Sequence, residues 1–143
     1  MEVESFLGSA YTGSKSFTQH DVQTANATGF GAAADDYMDR GIDLNEQLVK
    51  NKPATFFMRV SGNSMINAGI YNGDLVIVDR SVQPKNGKIV IAVIDGEMLI
   101  RRLSISFNKM WLVPETLNPL VIEVSEFSDF KIWGVVMHVV RTL

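Results

Sequence analysis

Two strand-forming runs, IVIAVI and EMLIRRL, stand on either side of the dipeptide Asp95-Gly96. Asp-Gly accepts the positive φ angles of a two-residue turn whose twist matches that of paired strands, the strongest short-range hairpin signal a sequence carries. A lone hairpin is marginal in water and needs further strands. The chain supplies them at ATFFMRV (54–60), DLVIVD (74–79), KIVIAVI (88–94), EMLIRRL (97–103), MWLV (110–113), LVIEV (120–124) and FKIWGVVMHVV (130–140). YNGD, PKNG, DG and ETLNP mark turns between them. Many short strands with regular turns predict a mostly β fold.

Ahead of the strands the composition changes. Gly8 to Ala34 is dominated by Gly, Ser, Thr, Ala and Asn, with no apolar period of 2 or 3.6. It reads as an extended or flexible arm. The GFG at 29–31 lacks the preceding strand of a phosphate loop and reads as part of that arm. IDLNEQLVKNKP then signals one short helix. Asp43 can cap it, Glu46 stands three residues on, Leu44 and Leu48 share a face, and Asn51 and Pro53 stop it. The expected division is an arm over 1–37 and one β-rich domain over 38–143.

Composition removes several functions. With 143 residues, 46% of them hydrophobic, there is material for one core. Thirteen basic against 16 acidic residues, net −3, give no basic stripe, so strong direct DNA binding is not expected. No cysteine is present, which excludes disulfides, thiolate catalysis and Cys-based zinc sites. No metal or other cofactor is expected. The longest apolar run, Ile89 to Ile94, is far below the roughly 20 residues of a membrane span. The N-terminal segment lacks the pattern of a secretory signal, and the expected location is cytoplasmic.

One stretch resists a structural explanation. VSGNSMINAGIYNGDLVIVDR interrupts strand character with Gly, Asn and Ser, and Ser64 lies within it. A serine becomes a nucleophile only beside a base. The histidines are His20, in the arm, and His138, within the last apolar strand. A Ser-His-Asp site would need His138 with Asp74 or Asp79, yet a single His on a strand is more often structural.

SGNSMINAGIYNGDLVIVDR, GKIVIAVIDGEMLIRRL and IWGVVMHVV together resemble the LexA/UmuD family of self-cleaving serine peptidases, and GFGAAADDY with IDLNEQLVKNKPATFFMRVSG extends the match upstream. The likeness spans residues 29 to about 140 and favours the UmuD branch. The 28 residues ahead of Gly29 are too few for the helix-turn-helix domain of LexA-type repressors. It implies a twisted β domain in which a Ser-Lys dyad cuts the chain's own arm. Ser64 matches the nucleophile, and Thr28-Gly29 matches the scissile bond. It also implies a homodimer that serves an error-prone Y-family (UmuC-like) translesion DNA polymerase in the SOS response to DNA damage, with cleavage stimulated by the RecA–single-stranded DNA filament. FKIWGVVMHVV, more apolar than one sheet face can bury, is expected either to contribute to the dimer or to be a central strand buried on both faces.

Two positions depart from the family pattern. Arg101 stands where the family places its general-base lysine, with Arg102 beside it. A guanidinium is not deprotonated in a protein, so Arg101 cannot take the serine's proton. Thr28, β-branched, stands where the family usually has alanine or cysteine. Lys85, Lys88 and Lys109 are the nearby lysines, none at a matching position. The readings left open are a self-cleaving peptidase, a UmuD-like binding module that keeps its arm, and the C-terminal domain of a truncated LexA-type repressor.

Overall fold

In a computed structural model the described residues are 3–9, 41–124 and 129–143, residues 4–9 as backbone only. Thr28, Gly29 and His20 lie outside them. The strands are β1 (Val3–Ser9), β2 (Thr55–Val60), β3 (Leu75–Asp79), β4 (Ile89–Ile94), β5 (Glu97–Ser106), β6 (Lys109–Val113), β7 (Ile122–Glu123) and β8 (Phe130–Val140). They form one sheet in the order β1-β2-β3-β8-β4-β5-β6-β7, antiparallel throughout. The mostly β reading holds.

The Asp95-Gly96 hairpin forms as expected, with φ +49 and +83 at its two turn residues and Ile94 opposite Glu97. The next hairpin is longer than its sequence suggests, because β5 runs on to Ser106. Its turn places Phe107 and Asn108 at φ +47 and +63. Asn adopts that region readily; Phe does so under strain. At the other end of β6, pairing reaches only Ile122–Glu123, whereas the sequence suggested 120–124. Pro119 has no N–H to offer a ladder, and Leu120 and Val121 stay exposed. Strand β1 has no counterpart in the sequence reading. It pairs with β2 through two register shifts, an irregularity that leaves little period-2 signal.

The chain falls into two compact units, one of residues 1–11 and 51–143 and another of residues 12–50. In the second, Leu44–Leu48 form helix α1, and the Asp43 carboxylate accepts from Asn45 N–H at 2.9 Å. The first holds two apolar clusters. Val3, Met58, Val60, Met65, Ile70, Val76, Val78, Ile91 and Ile100 make one; Val90, Ala92, Ile94, Leu103, Leu112 and Val135 make the other.

The C-terminal strand is central, between β3 and β4, which accounts for part of its apolar character without a partner. Gly134 is required at its middle, since a Cβ there would meet Val78 Cγ1 at 2.6 Å. Met137, Val139 and Val140 remain exposed toward its end. No helix among the described residues is long and apolar enough to cross a membrane.

Candidate active site

The interruption after Val60 is a loop whose feet are tied together. Gly73 N–H donates to Val60 O at 2.8 Å and Val60 N–H to Asp74 O at 2.9 Å, closing the loop between β2 and β3. Asn72 Oδ1 accepts from Gly62 N–H at 2.8 Å. Two apolar side chains sink from the loop into the first cluster, Met65 at 1% exposure and Ile70 at 3%. Burying two such side chains contributes about 3–6 kcal/mol. Ile66–Ala68 make one 3-10 turn, which ends at Gly69 with φ +84, a conformation open to glycine. The Gly and Asn content of the segment thus encodes a tight loop. Ser64 sits half-buried at its crest, beside the anchor Met65.

Two further attachments hold this loop from outside. Glu115 N–H donates to Ser64 O and Asn67 N–H donates to Glu115 O, both at 2.8 Å. The Glu115 carboxylate also pairs with Arg102 Nε on β5. At the far end Arg141, just past β8, donates from Nε to Asp74 Oδ1 and from Nη2 to Asp74 Oδ2, both at 2.7 Å. Its Nη2 also donates to Gly69 O at 2.6 Å, and the guanidinium lies 4.3 Å from the Tyr71 ring centre. Asp74 is 2% exposed. Hydrogen bonding from Arg141 is the main reason its carboxyl titrates below the ordinary carboxylate range; burial opposes the shift, and Tyr71 N–H reinforces it.

Arg101 is buried on β5, opposite Val90 of β4, and its Nη1 donates to Ile100 O at 2.8 Å. Its neighbour Ile100 belongs to the same apolar cluster as Met65, the neighbour of Ser64. The serine loop and β5 therefore share a core and, through Glu115, a polar link. Lys85, Lys88 and Lys109 are exposed, and Lys109 Nζ lies 3.9 Å from Glu123 Oε1.

The aspartates of a Ser-His-Asp site have other work. Asp74 is clamped by Arg141. Asp79 accepts from Ser81 N–H at 2.8 Å, Ser81 Oγ at 2.6 Å and Asn51 Nδ2 at 3.0 Å. Burial raises its pKa, but these bonds and Val82 N–H outweigh that and leave it lowered. His138 pairs with Ile77 in the ladder between β3 and β8. Among the described residues no group of three His, Cys, Asp or Glu could hold a metal.

Glu115 and Arg141 had no role in the sequence reading. Each acts on the serine loop from far along the chain, and neither lies in a motif. Proline before Glu115 and arginine after a terminal strand are too common to have singled them out.

Residues 22–137 match the family described as Peptidase S24-like. The chain is 41% identical over 121 residues to protein ImpA of Salmonella typhimurium, covering 79% of this chain and 77% of that one. It is 34% identical over 112 residues to protein MucA of Escherichia coli, with 78% and 77% covered. With LexA repressor 1 of Xanthomonas campestris pv. campestris the figures are 39% over 115 residues, 80% of this chain and 57% of the repressor.

Proposed function

Because the chain belongs to the Peptidase S24-like family, in its UmuD-like branch, we propose that it is the accessory subunit of an error-prone Y-family DNA polymerase in SOS mutagenesis. The observation that carries this reading is the family match over 22–137. It includes the Ser64 loop, the Arg101-Arg102 strand and Thr28-Gly29 together. In this role the chain works in the cytoplasm as a homodimer, bound to a UmuC-like polymerase subunit and responsive to the RecA–single-stranded DNA filament. Its net charge of −3 favours action on DNA through those proteins over direct binding. The exposed Met137, Val139 and Val140 of β8 support a dimer face there.

The chemistry proposed for the family's dyad is a division of labour. A neutral lysine takes the serine Oγ proton as Oγ attacks the carbonyl of Thr28, then gives the proton to the departing amine of Gly29. Arg101 stays protonated at any working pH and can do neither. Thr28 adds a branched side chain where the family uses a small one. In this chain, therefore, Ser64 lacks its base and the arm is kept, so the protein acts as a binding module.

Expression in a cell deprived of its own UmuD-type protein tests the role. Restored ultraviolet mutagenesis that depends on a Y-family polymerase and is kept by Ser64→Ala is the expected result. No restoration, with the protein present at normal level, contradicts the role; restoration lost in Ser64→Ala contradicts the non-cleaving reading.

A further inference from the structure

Glu115 grips two elements at once. Its main chain exchanges hydrogen bonds with the serine loop, accepting from Asn67 and donating to Ser64. Its side chain holds Arg102, adjacent to Arg101 on β5. Pro114, buried just before it, fixes the local backbone. The other anchors described for the loop act before the serine, at Val60 and Gly62, or after it, at Met65, Gly69 and Ile70, whereas the bond from Glu115 is to the carbonyl of Ser64 itself.

We infer that Glu115 is a positioning residue that sets where the Ser64 loop lies relative to position 101. This rests on reading Ser64 and position 101 as the family's reacting pair. The Arg102 and Glu115 side chains are 37% and 31% exposed, so water screens the pair and its contribution to stability is small. What it supplies is direction, because a carboxylate held by β5 fixes the peptide that holds the serine. Placement matters more than strength here, since a misplacement of about 1 Å can cost on the order of 10²-fold in reaction rate.

The absence of cysteine makes the test direct. A Ser64→Cys, Arg101→Cys chain has two thiols, and a short thiol–thiol cross-linker reads their separation without any catalysis. Glu115→Ala and Arg102→Ala are each expected to slow the cross-link by about threefold to tenfold. Glu115→Gln keeps an acceptor for Arg102 and should stay within about twofold of the parent. Melting temperatures should shift by no more than ~3 °C, as a screened pair implies. Alanine variants that cross-link at the parent's rate overturn the positioning role, as does a Gln variant as slow as Ala. Should Glu115→Ala lose its fold, Arg102→Ala decides alone. A parent that fails to cross-link while folded overturns the pairing of positions 64 and 101 itself, and the inference with it.

Discussion

On the proposed reading the serine loop and position 101 are the two halves of one chemical device, and the two regions differ in what they keep. The loop keeps every support a nucleophile's seat needs. Two buried side chains, a closed base, the Glu115 clip and the Arg141–Asp74 clamp all bear on a stretch of about a dozen residues. Position 101 is buried but carries a side chain that cannot do a base's work. Scaffold and reactivity are thus separable. The contacts that hold Ser64 also close the turn between β2 and β3, so the fold needs them whether or not the serine reacts. The base is needed by the reaction alone.

The largest effect expected is on the reactive half. Arg101→Lys should raise cleavage at Thr28-Gly29 by on the order of 10²–10⁴-fold, the usual contribution of a positioned base. Thr28→Ala should raise it further, and Ser64→Ala should remove it; fragment mass over time reads all three. No gain from lysine would show that the loss lies in the seat and not at position 101.

On the seat side, Met65→Ala should cost about 2–5 kcal/mol in denaturant unfolding by leaving a cavity in the first cluster. A cost under 1 kcal/mol would mean the loop is not anchored there.

Arg141→Ala comes next. It leaves a buried carboxylate without its clamp and should lower stability by less than Met65→Ala. Its signature is in pH dependence. Asp74 titrates below its ordinary value when folded, so its stabilisation is complete above about pH 4, the unfolded carboxylate range, and is lost as pH falls through the depressed value. Arg141→Ala should flatten that acid limb and leave the part owed to Asp79. An unchanged limb would contradict the clamp.

The smallest effect belongs to a residue outside both halves. Phe107 is 97% exposed with φ +47, so Phe107→Asn should be neutral or stabilising by up to about 1 kcal/mol, since Asn tolerates that backbone better. Measurable destabilisation would mean Phe107 is buried in solution, as it would be in a dimer.

Local patterns made the sheet legible. Asp95-Gly96 announced its hairpin, and every strand from β2 to β8 overlaps an apolar run set between turn residues. Sequence spacing could not reveal what distant segments do to each other. Strand β1 is defined by pairing with β2, the central place of β8 by its neighbours β3 and β4, and Glu115 and Arg141 by contacts with a loop some 50 and 70 residues away. Ser64 and Arg101 were singled out because a family pattern marks their positions, and their roles remain part of the proposal. Arg101's incapacity needed only its side-chain chemistry.

Whether the seat is intact and the base missing is tested most directly by intact-mass measurement of the purified, unmodified chain during incubation at alkaline pH. Alkaline conditions favour any lysine that could serve as a substitute base. The expected result is a single species at the full-length 15.8 kDa throughout. A fragment beginning at Gly29, formed within hours and absent from Ser64→Ala, would contradict the claim and show that a residue other than Arg101 takes the serine's proton.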